Sequence, residues 1–73
     1  MRVMVNGEEY VTEKHTITQL LDEMGIVPGR VAVEVNLKVI KRADYDNFSL
    51  RDGDVIEIVK FVGGGQLSVS DSE

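Results

Sequence analysis

The stretch "RDGDVIEIVKFVGGG", Arg51 to Gly65, decides how the whole chain is read. Its first four residues are turn formers. From Val55 to Val62 it is the most apolar segment of the sequence and rich in β-branched residues. A strand with apolar side chains along nearly its whole length belongs in the middle of a sheet, where both faces are covered. It then stops at Gly63, Gly64 and Gly65. Taken alone, a glycine triplet near a terminus reads as a linker, and it is no phosphate loop, because neither Lys-Ser/Thr nor a helix follows.

The preceding segments must supply the neighbours of that strand. At the start, "MRVMVNGEEYVTEK" reads as a hairpin, with Val3 and Val5 alternating against more polar neighbours and Val11 on the return strand. Asn6-Gly7 is the strongest short turn signal, since a type I′ turn needs positive φ at both central residues. In "HTITQLLDEMGIVPG", Ile17, Leu20, Leu21 and Met24 stand at i, i+3, i+4 and i+7, the spacing of a buried helical stripe. Thr16 is the expected N-cap and Gln19 completes a capping box worth about 1 kcal/mol. Gly25 closes the helix and Pro28 is expected to prevent a restart. "RVAVEVNLKVIKR" predicts a strand near Val31–Asn36, a bend at Asn36, and a short strand around Val39–Lys41. "ADYDNFSL" is irregular, with Tyr45, Phe48 and Leu50 tucked against the core.

The order is strand, strand, helix, strand, short strand, strand. Two valine-rich strands, the first and the last, can lie parallel in the middle only if the helix crosses the sheet between them, which is the order of the ubiquitin-like β-grasp. The expected fold is therefore α+β, a mixed four- to five-stranded sheet with one helix packed across it. The expected divisions are a head over 1–62, a glycine tail over 63–65 and an extension over 66–73 that is removed or disordered.

Composition limits what such a domain can do. With 73 residues there is one small core and little room for an enclosed active site. The absence of cysteine excludes disulfides, thiolate nucleophiles and cysteine-ligated metals. The formal charge of -5 disfavours nucleic acid, the small basic group at Lys38, Lys41 and Arg42 notwithstanding. The apolar runs are too short to cross a membrane and the N-terminus carries no signal-peptide pattern, so the expected address is cytoplasmic. His15, the only histidine, reads as a surface residue. Glu8, Glu9, Glu13, Asp22 and Glu23 read as solvated surface. Asp44, Asp46, Asp52 and Asp54 lack the spacing of a calcium loop and read as turn chemistry.

The position of the glycines raises their significance. Directly after the closing strand of a β-grasp, they form a thread without side chains that can pass through a narrow channel and present a carboxylate to another enzyme. "VMVNGEEY", "TITQLLDEMGI", "VAVEVNLKVIKRADYD" and above all "LRDGDVIEIVKFVGGG" resemble the sulfur carrier proteins of thiamine biosynthesis, the ThiS family. The resemblance covers residues 1–65. It implies that the chain is a protein cosubstrate with no intrinsic cofactor, and not an enzyme. A ThiF-class adenylyltransferase would use ATP and Mg²⁺ to adenylate the carboxylate of Gly65. The resulting thiocarboxylate would pass its sulfur to a ThiG-class thiazole synthase, with Gly63 and Gly64 forming the rest of the tail. Val59 and Phe61, on one side of the closing strand, are the candidate partner-binding residues, with ordinary core packing as the alternative.

The chain departs from that pattern in "QLSVSDSE", Gln66 to Glu73, which leaves Gly65 inside a peptide bond. One reading is removal by a JAMM-type peptidase, as in related carriers that serve cysteine or homocysteine synthesis. A second is a retained extension and a lost carrier role, which would leave a ubiquitin-like interaction module. The third is an extension derived from a vector. Processing is the favoured reading.

Overall fold

The computed structural model describes residues 1–62 together with Gln66 and Leu67. Strand β1 (Arg2–Val5) turns into β2 (Glu8–Val11), followed by helix α1 (Ile17–Glu23), β3 (Val31–Val35), β4 (Lys38–Ile40), β5 (Val55–Val62) and a two-residue strand β6 (Gln66–Leu67). The main sheet has the order β2-β1-β5-β3-β4, and β6 pairs with β5. The closing strand is therefore central. It runs parallel to β1, with Met4 opposite Val55 and Val5 opposite Ile56, and antiparallel to β3 from Val31↔Lys60 to Val35↔Ile56. This mixed five-stranded sheet with one helix is the expected β-grasp, to which β6 adds a short sixth strand.

Register explains the core. Residues directly opposite one another share a face, and faces alternate along each strand. Val3, Val5, Val31, Val33, Val35, Ile40, Ile56 and Ile58 all point to one side and are buried there against Ile17, Leu20 and Leu21 of α1, with Tyr45 and Leu50 closing the edge. Met24 and Phe48 are partly buried against this cluster, so Met24 contributes less to the helical stripe than its spacing implied.

The local signals act as anticipated at most ends. The Thr16 side chain accepts from the Gln19 N–H at 3.1 Å, and the Gln19 side chain accepts in return from the Thr16 N–H at 3.3 Å. Asn6 and Gly7 both have positive φ, as does Gly25 after the helix. Two details differ. Asn36 and Leu37, with φ of 53° and 71°, form a tight turn of their own, so β4 begins at Lys38 and Lys41 lies beyond it. Pro28 does not prevent a further helical turn. It opens a 3-10 turn over Pro28–Arg30, where its missing N–H costs nothing at the first helical position.

Glu8, Glu9, Glu13, Asp22 and Glu23 are all exposed, as expected of solvated surface, and two of them also make side-chain contacts. Glu23 accepts from the hydroxyls of Thr12 (2.6 Å) and Tyr10 (3.2 Å), which ties the end of α1 to β2. Desolvation, and next its hydrogen bond to Glu23, hold the Tyr10 phenol above its ordinary pKa. Glu9 pairs with Arg2 at 2.8 Å. Asp54 accepts from the Arg51 N–H, which is the turn chemistry its spacing suggested, whereas Asp52 accepts from the distant Arg2 N–H and ties the turn to β1.

Candidate functional site: the root of the glycine tail

The candidate site lies where β5 leaves the sheet. Two asparagines fix that strand from opposite flanks. Asn6, in the β1–β2 turn, accepts from the Ile58 N–H through Oδ1 at 2.7 Å and donates to the Ile58 C=O through Nδ2 at 3.2 Å. Its side-chain amide takes the place of a backbone neighbour just where β1 has ended. On the other flank Asn36 accepts from the Val55 N–H at 3.0 Å, while its own N–H donates to the Val55 C=O at 2.7 Å. Both residues were read from the sequence as turn formers only. Side-chain pairing between residues 52 positions apart has no local signal.

Among the described residues the sheet face away from α1 carries no helix. Register places Met4, Ala32, Glu34, Val39, Val55, Glu57 and Val59 on it. Val59 is 48% exposed, Val55 43% and Val39 66%, so Val59 lies on an exposed strip of valines around Glu34 and Glu57 and not in the core. Phe61 is half-buried, at the corner where that strip reaches the end of the sheet. It lines two open grooves of about 230 and 290 Å³. One is formed with Val31, Ala32, Ile40, Arg42 and Tyr45, the other with Gly25, Ile26, Val27, Arg30, Val31 and Lys60.

Gly63, Gly64 and Gly65 lie outside the described residues. So do residues 68–73, on which most of the removed-or-disordered expectation falls, while Gln66 and Leu67 pair as β6 with Val62 and Phe61. His15 is exposed, and its backbone, not its ring, is engaged: its N–H donates to Gln19 and its C=O accepts from Leu50. Among the described residues no three His, Asp or Glu side chains converge to hold a metal ion, and no helix is long and apolar enough to cross a membrane.

Comparison with known proteins places this geometry. The ThiS family model matches residues 2–65. The sulfur carrier protein ThiS of Thermus thermophilus is 38% identical over 63 residues, covering 86% of this chain and 98% of that protein. A crystal structure of the thiamine biosynthesis protein ThiS from Geobacter metallireducens superposes with a TM-score of 0.77 at 32% identity, covering 89% of this chain and all of that one. A thiazole synthase from Magnetococcus marinus is 41% identical over 73 residues, covering 99% of this chain. This chain spans about a fifth of the thiazole synthases it matches. A mixed five-stranded sheet with one helix packed across it defines a small domain of the ubiquitin-like β-grasp class. The chain belongs to the ThiS family.

Proposed function

We propose that this chain is a cytoplasmic sulfur carrier for the thiazole of thiamine, a cosubstrate on which partner enzymes act. The observation that carries the reading is the extent of the family match: it begins in β1 and ends on Gly65, and excludes the eight residues that follow. The head holds β5 in the sheet up to the tail, and the chemistry belongs to the residue at the end of the match.

The steps balance without a catalytic group on the head. A free Gly65 carboxylate attacks the α-phosphate of ATP, with Mg²⁺ on the partner enzyme, to give the acyl-adenylate and pyrophosphate. Sulfide then displaces AMP and leaves the thiocarboxylate, whereas a persulfide donor would give an acyl disulfide that a thiol must cleave, releasing the thiocarboxylate and forming a new disulfide. A carboxylate is a poor acyl donor and AMP is a good leaving group, so activation must precede sulfur transfer. A ThiF-class adenylyltransferase fits the first role. The similarity of this chain to a stretch within thiazole synthases supports a ThiG-class enzyme as sulfur acceptor, because a carrier-like sequence there shares a chain with the synthase.

In the 73-residue chain Gly65 is bonded to Gln66, so this route requires a peptidase to open that bond, a role that a JAMM-type peptidase fits. A second reading keeps the extension. The Magnetococcus marinus match runs over 73 residues, beyond the glycines, which favours residues 66–73 as the counterpart of sequence that continues within a longer synthase.

The test uses two lengths of the chain with a ThiF-class enzyme, ATP and a sulfur donor, read by intact mass. The chain ending at Gly65 gains the mass of one oxygen replaced by sulfur, and the 73-residue chain does not. Gly64→Val blocks activation of the shorter chain while its fold is retained, because a β-branched side chain restricts φ/ψ and adds bulk in the thread. Phe61→Glu weakens partner binding without unfolding the head. A Gly65-ended chain that no activating enzyme of the same organism adenylates removes the carrier reading and leaves the interaction module.

A further inference from the structure

The sequence carries 13 acidic residues against 8 basic ones, yet the charged side chains lining the two grooves beside Phe61 are all cations: Arg30, Arg42 and Lys60. All three are exposed. The one ion pair among the described residues joins Arg2 to Glu9, so no described carboxylate lies within 4.0 Å of these three cations. In an anionic protein, cations gathered in one place with no described carboxylate against them concentrate positive potential there.

One of them lies against the backbone of the neighbouring turn. The Arg42 guanidinium lies over Gly29, with Nη1 only 2.8 Å from where a Cβ on residue 29 would stand. The two 3-10 turns, Pro28–Arg30 and Arg42–Asp44, thereby bring Arg30 and Arg42 to the same end of the sheet. Between them the groove floors are apolar, formed by Ile26, Val27, Val31, Ile40 and Phe61.

We propose that this cationic collar docks an acidic protein segment of the enzyme that handles the tail, with an apolar side chain of that segment seated against Phe61. The inference rests on the carrier reading and names the chemistry of its partner. Lys60 and Phe61 lead directly into the glycines, and Gly65 is four residues beyond Phe61, so an enzyme that grips Gly65 works within about 13 Å of the collar. A surface that close is within reach of Arg30, Arg42 and Lys60. Carboxylates are the complement that raises the encounter rate and sets orientation, while the apolar floor supplies buried area.

The experiment measures adenylation kinetics of the Gly65-ended chain with the ThiF-class enzyme at several salt concentrations. The double variant Arg30→Glu with Arg42→Glu raises KM at least tenfold with kcat nearly unchanged, and flattens the salt dependence seen for wild type. The neutral pair Arg30→Gln with Arg42→Gln shows a smaller rise, and thermal melts verify that both fold. Lys14→Glu with Arg51→Glu, the same charge change away from the grooves, alters KM less than twofold. Gly29→Ala preserves every charge but displaces the Arg42 guanidinium, and raises KM a few-fold. Wild type that is adenylated no better than the double variant overturns the collar and leaves the carrier reading intact. Wild type that is never adenylated overturns both. A single-stranded oligonucleotide bound by wild type and released by the double variant overturns the acidic-protein partner in favour of a phosphate ligand.

Discussion

The side-chain amide of Asn6 holds the backbone of Ile58 at both its N–H and its C=O, at 2.7 and 3.2 Å. A turn residue of the first hairpin thus completes the ladder of the central strand a few residues before the chain reaches its glycine triplet. Asn6→Gly retains the positive φ of 50° without strain and deletes only the amide. It should cost about 1 kcal/mol, the worth of an ordinary net hydrogen bond, with an added penalty for the Ile58 N–H left unpaired. Native-state hydrogen exchange checks it: the Ile58 amide exchanges faster relative to Ile56, whereas uniform acceleration of both would place the effect elsewhere.

Leu20 and Leu21 are 1% and 0% exposed at the centre of the cluster beneath the helix. Replacing either with Ala removes apolar burial and leaves a cavity, at about 2–5 kcal/mol. In a domain this small that is a large part of the total stability. Urea unfolding should show a lower midpoint for both variants at an unchanged slope.

Leu37 presents the opposite case. It has φ of 71° and is 89% exposed, so its side chain gains little from packing and strains the backbone. Left-handed conformation costs a non-glycine residue about 1–2 kcal/mol, of which glycine returns part as unfolded-state entropy. Leu37→Gly should therefore raise the thermal midpoint by a few degrees, because the turn would then carry an asparagine followed by a glycine, the preferred type I′ pair. A lower midpoint would mean that the leucine side chain has packing the turn depends on.

Burial raises the Tyr45 phenol above its ordinary pKa of 10.0, against the opposing effects of a backbone hydrogen bond with Val33 and the charge of Arg42. A raised phenol pKa means that the folded state retains its proton where the unfolded state has lost it. Stability is then full below pH about 10 and falls as pH rises through the interval between the two values. Tyr45→Phe should flatten that alkaline decline. An unaltered decline in the variant would assign it to other groups.

Much of this protein is present in local sequence, because the relevant physics is local. Period-2 alternation marks β1 and β3, the i, i+3, i+4 spacing marks α1, and Thr16, Gln19, Gly25 and Asn6-Gly7 mark ends and turns within a few residues of their partners. The order of elements, with a continuous apolar last strand, then admits few topologies. Sequence also located the candidate tail, since Gly63–Gly65 follow that strand directly. Other features arise only when distant segments meet. Asn6 pairs with Ile58 across 52 residues, and Glu23 collects the hydroxyls of Tyr10 in β2 and of Thr12 just beyond it. The exposure of Val59 depends on which face α1 covers, and no spacing within β5 states that. Arg30 is an isolated charge along the chain and Arg42 belongs to a small basic group, and only the two 3-10 turns bring them together beside Phe61. Periodicity and capping are properties of adjacent residues and can be read along the chain. A shared groove or a common face is a property of packing, and it exists only once the sheet and helix have closed on one another.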